Sequence, residues 1–72
     1  MEDKIIKIIG ETLNITVDQT VSQHNCEKWD SLRHLNIVVA LEEAFDVSFE
    51  PEDMARMKSV KNIAEILTGY LN

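Results

Sequence analysis

The fold is decided by residues 29–45, WDSLRHLNIVVALEEAF, which predict one long amphipathic helix. Asp30 and Ser31 are both good N-caps, because a short side-chain oxygen can accept a hydrogen bond from an unpaired N–H of the first turn. Apolar residues then recur at spacings of mostly three or four, namely Leu32, Leu35, Val38, Val39, Leu41 and Phe45. Since Ile37 and Ala40 widen the apolar arc, we expect this helix to be buried on more than one side.

Three further helices are predicted. The first spans residues 2 to about 14, and the third is a short segment from Pro51, a favoured first helical residue, to Met57. The fourth follows the cap Ser59. The apolar faces are Ile5, Ile6, Ile9 and Leu13 in the first helix, and Val60, Ile63, Ala64, Leu67, Tyr70 and Leu71 in the fourth. No strand-like alternation competes, so the sequence predicts an all-α, four-helix bundle with three main helices and one short helix.

A long loop separates the first and second predicted helices. Residues 14–30 lose the helical period and are rich in Asn, Thr, Gln, Ser and Asp. A loop of this length is unusual in so small a domain and is often functional. We expect Ile15, Val17 and Val21 to pin it to the core.

Composition limits the function classes. The 72 residues suffice for one domain, residues 1–72, and 44% hydrophobic and 28% charged residues are ordinary for a soluble globular protein. The formal net charge of -6, from 7 Lys and Arg against 13 Asp and Glu, disfavours nucleic acid and anionic membranes as partners. We expect a monomer whose partners present basic protein surfaces.

Several features favour a cytoplasmic protein. The single cysteine, Cys26, cannot form an internal disulfide and suits a reducing compartment. Glu2 and Asp3 do not fit the positively charged region of a secretory signal. The longest apolar run, residues 37–41, is far shorter than a membrane span.

No constellation for catalysis or metal binding is recognisable. Asp30, Ser31 and His34 lie within one helical turn, which does not give the line of hydrogen bonds that a nucleophilic triad needs. His24, Cys26 and His34 lack the paired spacing of a metal site. The sequence therefore predicts no catalytic residues, no metal and no enzyme acting alone.

Two interpretations of Ser31 remain open from the residues themselves. As a simple helix cap in a helical interaction module, its replacement by Ala would cost about 1 kcal/mol and leave binding intact. Alternatively, a phosphate ester on this hydroxyl would lie near unpaired backbone N–H groups and the positive end of the helix dipole.

Residues 29–35 and 40–45 together resemble the acyl carrier protein family. Further agreement extends over essentially the whole chain, at Phe49, Pro51, Ser59, Val60, Ile63, Ile66 and Leu67. The resemblance implies that Ser31 is the attachment point of 4'-phosphopantetheine, transferred from coenzyme A by a separate magnesium-dependent phosphopantetheinyl transferase. Asp30 and Leu32 would help to present Ser31 to that enzyme.

The same resemblance implies a carrier function without catalysis. The thiol of the arm would carry acyl groups as thioesters between acyl-loading and acyl-processing enzymes, in fatty-acid, lipid or secondary-metabolite synthesis. The apolar interior beneath the second helix would shelter the acyl chain. Because the short third segment has few apolar contacts and Met54 and Met57 are adaptable fillers, we predict that residues 49–58 shift when the chain enters. Aminoacyl or peptidyl cargo is the alternative.

One departure from the family pattern suggests a specialised pathway. In carriers for general fatty-acid synthesis, the helix after the serine is acidic and docks on basic patches. Here the corresponding positions hold Arg33, His34 and Asn36, and acid returns at Glu42 and Glu43. We expect these five residues and Trp29 to form the partner-binding surface. The alternatives are that Arg33 and His34 are ordinary solvated residues and that Trp29 packs the loop against the bundle.

Overall fold

The computed structural model describes residues 1–71, which contain four α-helices. They are α1 (Glu2–Leu13), α2 (Ser31–Phe45), α3 (Pro51–Arg56) and α4 (Val60–Leu71). Within these residues there is no β-strand, and the isolated bridge between Ser22 and Ser59 is the one strand-like pairing. The prediction of an all-α fold with three main helices and one short helix is confirmed.

The core lies between the three long helices. Each contributes three buried residues: Ile5, Ile9 and Leu13 from α1, Ile37, Val38 and Leu41 from α2, and Val60, Ile63 and Leu67 from α4. Segments between the helices add Val21, Trp29, Phe49 and Met57. In α1 and α4 the buried residues belong to the predicted apolar faces, although Leu71 is 46% exposed.

The expectation that α2 is buried on more than one side is wrong. Leu32, Leu35 and Val39 are 70%, 57% and 51% exposed, respectively. At 100° per residue these three positions share one side of the helix, roughly opposite the buried Ile37 and Leu41. The reason is that α1 packs against one side of α2, and α3 contributes no buried side chain with which to cover the other.

The loop between α1 and α2 is packed onto the bundle. Val21 is buried, and Ile15 and Val17 are half-buried against the core, as the sequence predicted. The loop begins at Asn14, whose left-handed φ of 58° ends α1, and turns back so that Ile15 N–H donates to the Gly10 carbonyl. A further hydrogen bond joins the loop to the segment before α4, from Gln23 N–H to the Lys58 carbonyl (2.8 Å).

Polar contacts hold the short helix α3 against α4. Pro51 occupies its first turn, as the sequence indicated. The Tyr70 hydroxyl accepts a hydrogen bond from Glu50 N–H and donates one to Asp53, and the ring of Tyr70 meets Phe49 edge-on at 5.1 Å. Within residues 1–71, every helix is too short or too polar to cross a bilayer.

Candidate functional site

Ser31 is the first residue of α2, and its side chain is exposed. The capping residue is Asp30, whose backbone is extended and whose Oδ1 accepts a hydrogen bond of 2.8 Å from Arg33 N–H. No hydrogen bond to any other residue in 1–71 occupies the Ser31 hydroxyl. Of the two candidate caps, Asp30 therefore performs the structural role, and Ser31 presents an unused hydroxyl to solvent.

Arg33 neutralises the carboxylate that lies beside Ser31. Its Nη1 is 2.9 Å from Asp30 Oδ2, and the two side chains are about half exposed, at 45% and 49%. An exposed pair of this kind adds at most about 1 kcal/mol to stability. The pair also changes the local charge. Because Arg33 balances the charge of Asp30, the Asp30 carboxylate would repel an anion attached at Ser31 less strongly.

The first turn of α2 also fits an attached phosphate. The N–H groups of Arg33 and His34 are taken by the side chain and the carbonyl of Asp30. The N–H groups of Ser31 and Leu32 have no partner among residues 1–71, as is usual for the first helical positions. Such N–H groups and the helix dipole favour an anion at this end.

A bridge of hydrogen bonds lies next to Ser31. Trp29 is only 1% exposed, and its indole Nε1–H donates to His34 Nδ1 at 2.9 Å. The other ring nitrogen of His34, Nε2, lies 2.7 Å from the Met54 carbonyl oxygen in α3. The two rings are nearly coplanar, with centroids 6.1 Å apart and planes at 22°. We call this arrangement the Trp29–His34–Met54 bridge.

Comparison with known proteins agrees with this geometry. A family model described as a phosphopantetheine attachment site matches residues 3–67. The chain is 36% identical over 70 residues to an acyl carrier protein of Syntrophobacter fumaroxidans, covering 93% of this chain and 86% of that relative. It is 29% identical over 70 residues to an acyl carrier protein of Syntrophus aciditrophicus, with 93% and 88% coverage, and 29% identical over 73 residues to one of Petrotoga mobilis, with 97% and 86%.

The chain belongs to the acyl carrier protein family. A phosphopantetheine-binding domain implies a covalently attached 4'-phosphopantetheine. Acyl carrier proteins are carriers, not enzymes, and they interact with phosphopantetheinyl transferases and acyl-processing enzymes.

Two residues of the expected partner surface are not open to solvent. Trp29 is only 1% exposed, and its side chain packs the loop against the bundle. His34 is half-buried, and both of its ring nitrogens have partners. The contact of these two residues with partner proteins stays a prediction. The other histidine, His24, is exposed.

The remaining predicted partner residues divide by exposure. Arg33, Asn36 and Glu43 are exposed, whereas Glu42 is half-buried and its Oε2 accepts a hydrogen bond of 2.8 Å from Phe49 N–H. Glu42 therefore stabilises the segment after α2. The sequence analysis missed the exposure of Leu35 and Val39, which lie on the same side of α2 as Leu32. We call this exposed side the outer face of α2. It consists of Leu32, Leu35, Asn36, Val39 and Glu43.

A signal for the outer face was present in the sequence. The apolar arc of α2 is wider than one buried side requires, and the width alone predicts deeper burial of the helix. Alternatively, one side of the arc can pack in the core while the other side faces solvent. Only the positions of the neighbouring helices distinguish this arrangement from an arc that is buried throughout.

An open groove of about 520 Å³ lies between α3 and α4, away from Ser31. It is lined by Glu50, Asp53, Arg56, Glu65, Ile66, Gly69 and Tyr70. None of these residues belongs to α2, so this groove is distinct from the expected acyl site beneath that helix. On the inner side of α2, Ile37 and Leu41 are fully buried, which means that an acyl chain would have to displace neighbouring groups to enter.

Proposed function

We propose that this chain is a single-domain acyl carrier, residues 1–72, and that its 4'-phosphopantetheine is attached to Ser31. The observation that carries the proposal is the exposed and unused hydroxyl of Ser31 at the first position of α2, with Asp30 as the cap. When bound, the arm supplies a terminal thiol that carries an acyl group as a thioester.

Each neighbour of Ser31 has a role in this proposal. Ser31 contributes its hydroxyl oxygen, which forms the new bond to phosphorus as adenosine 3',5'-bisphosphate leaves coenzyme A and the hydroxyl proton passes to the transferase. Asp30 fixes the first turn, and Arg33 compensates its charge beside the phosphate. Leu32, 70% exposed, offers the transferase an apolar contact next to the reacting oxygen.

The direct test is the intact mass of the chain after incubation with coenzyme A, magnesium and a broad-specificity phosphopantetheinyl transferase. We expect a gain of one arm in the wild type, no gain in Ser31→Ala, and an unchanged gain in the matched control Ser48→Ala, which alters another exposed serine. A gain in Ser31→Ala would assign the arm to another residue. No gain in the wild type with several transferases would favour the helical interaction module.

We also propose a specialised pathway and not general fatty-acid synthesis. The outer face of α2 carries one charge, Glu43, and the nearby Arg33 is paired with Asp30, so the helix offers little acid to a basic docking patch. Close charge pairs across an interface can be worth several kcal/mol, and a missing or reversed charge discriminates between partners.

General fatty-acid synthase enzymes provide the test of this pathway proposal. We expect these enzymes to turn over the acylated chain more slowly than their own acylated carrier. Arg33→Asp should make the two turnover rates more similar. The matched control is Lys61→Asp, a charge reversal at an exposed site of α4. Equal turnover of the wild-type chain and of the enzymes' own carrier would contradict the proposal.

The acidic chain favours acyl over aminoacyl or peptidyl cargo. The two are separated by whether ketosynthase-type or adenylating enzymes act on the loaded arm. We further propose a cytoplasmic monomer that catalyses none of the acyl chemistry and binds neither nucleic acid nor membrane. Its net charge of -6 and its single thiol, Cys26, support this environment.

A further inference from the structure

The two ends of the Trp29–His34–Met54 bridge differ in hydrogen-bonding chemistry. An indole N–H is a donor only, whereas a backbone carbonyl is an acceptor only. The neutral imidazole of His34 has one N–H and one bare nitrogen. Both contacts can form only if His34 Nδ1 is bare, to accept from Trp29, and His34 Nε2 carries the hydrogen, to donate to the Met54 carbonyl.

The Met54 carbonyl is an end group of α3 that depends on this contact. Carbonyls in the last turn of a helix lack a normal partner within the helix. The Met57 N–H approaches this oxygen only at 3.4 Å, whereas His34 Nε2 lies at 2.7 Å. α3 has no fully buried side chain, and Met54 is only partly buried against the core, so this hydrogen bond belongs to a small set of contacts that attach α3 to the bundle.

We propose that Trp29 sets the tautomer of His34 and that His34, in this tautomer, holds α3 against α2. Trp29 lies two residues before Ser31, so the bridge couples the chain that leads into the attachment serine to the position of α3. Displacement of the indole removes one of the two contacts that favour this tautomer. The other tautomer then becomes populated, and in it Nε2 is bare and faces the Met54 oxygen without a hydrogen. α3 is then released on this side. By thermodynamic reciprocity, displacement of α3 loosens the indole to the same extent.

Trp29 and His34 are thus positioning residues for the segment that carries Ser31. The functional effect of this role rests on the proposed function, because only an enzyme that binds at Ser31 would be affected, through Trp29, by the position of α3. The tautomer and the coupling themselves are properties of the unmodified chain. They are therefore tested without the arm, so that failure of this inference and failure of the attachment at Ser31 give different results.

The experiment is NMR on the unmodified chain at about pH 8, where an ordinary imidazole is neutral. The ¹⁵N shifts of the His34 ring identify the nitrogen that carries the hydrogen, and the single tryptophan gives one indole N–H signal. In the wild type we expect the hydrogen on Nε2. In Trp29→Phe we expect a mixture of tautomers and about fivefold faster amide exchange of Met54 and Met57, the effect of one net hydrogen bond.

Four variants separate the bridge from general loosening. His34→Gln keeps an acceptor for the Trp29 indole and a donor for the Met54 carbonyl, so the indole N–H should stay partly protected from exchange. In His34→Leu this protection should be lost. Tyr70→Phe loosens α3 from α4, so it should raise amide exchange in α3 and weaken the protection of the indole N–H in part. The hydrogen should stay on His34 Nε2, because Trp29 is still present to donate to Nδ1. His24→Leu, at the exposed histidine, should alter none of these signals.

Two results would overturn the inference. One is a wild-type His34 whose hydrogen is on Nδ1. The other is a Trp29→Phe variant in which the His34 ring shifts and the amide exchange of Met54 both equal those of the wild type.

Discussion

The phenol of Tyr70 in α4 donates a hydrogen bond of 2.6 Å to Asp53 Oδ2 in α3. It also accepts one of 2.8 Å from the N–H of Glu50, the residue that precedes α3. These two hydrogen bonds and the one from His34 are polar links that attach α3 and the residue before it to their neighbours. They matter for its position because α3 contributes no buried side chain.

The first prediction concerns the titration of Tyr70. Its hydrogen bond to Asp53 raises the pKa of the Tyr70 hydroxyl above the ordinary 10.0, with the nearby negative charges adding to the effect. A raised pKa in the folded state means that this contribution to stability is complete below pH 10.0 and is lost as pH rises through the raised value.

Absorbance of the tyrosinate ion measures this pKa without overlap from other tyrosines, since Tyr70 is the only one in the chain. We expect Asp53→Asn to bring the pKa of Tyr70 back towards 10.0 and the remote Asp46→Asn to leave it unchanged. A wild-type pKa at or below the ordinary value would contradict the hydrogen bond.

The second prediction separates the two candidate caps of α2. Asp30→Ala should lower the free energy of unfolding by about 1 kcal/mol, because Asp30 Oδ1 caps Arg33 N–H. Ser31→Ala should change it by less than about 0.5 kcal/mol, as expected for an exposed side chain without a hydrogen bond. Urea unfolding of both variants measures the difference. An equal cost at both positions would show that Ser31 shares the capping.

The third prediction compares the two glycines, which both lie inside helices. At Gly69 an added Cβ would meet nothing within 4 Å, so Gly69→Ala should stabilise the chain by about 0.5–1 kcal/mol. At Gly10 the Cβ would stand 3.0 Å from the Ile15 carbonyl oxygen, and this backbone crowding should cancel the gain. Thermal unfolding of the two variants tests this, and equal stabilisation by both would contradict the close approach at Gly10.

The fourth prediction concerns the outer face of α2. Leu35→Ser should leave the free energy of unfolding within about 0.5 kcal/mol, because Leu35 is 57% exposed. It should lower kcat/KM for arm transfer by about tenfold if the transferase buries this side chain. The matched control is Leu71→Ser, which changes an exposed leucine at the end of α4. Similar effects of both substitutions on transfer would exclude a specific role for the outer face.

The fifth prediction concerns the cargo. Because Ile37 and Leu41 fill the inner side of α2 and α3 has no buried side chain, α3 is the element that yields most easily. We expect the amide signals of residues 49–58 to move when a long acyl chain is loaded. The chain with an empty arm is the reference, and identical signals in the two forms would contradict entry between the helices.

Local chemistry was enough to predict the helices. The 3.6-residue period gave the buried sides of α1 and α4, and Pro51 gave the start of α3. The same local pattern singled out Ser31, since its neighbours in sequence resemble one family over the whole chain. It could not decide between Asp30 and Ser31 as the cap, because both side chains are suitable and backbone conformation makes the choice.

By itself, then, the sequence determined the number and the approximate bounds of the helices, the acidic charge and the serine that a phosphate would suit. Only the tertiary structure decided which side of α2 is covered and that Trp29 is buried. It alone also paired His34 with an oxygen 20 residues away. The physical reason is one of range. Periodicity and capping depend on residues within about one helical turn, whereas burial and side-chain pairing depend on elements that meet only when the chain has folded.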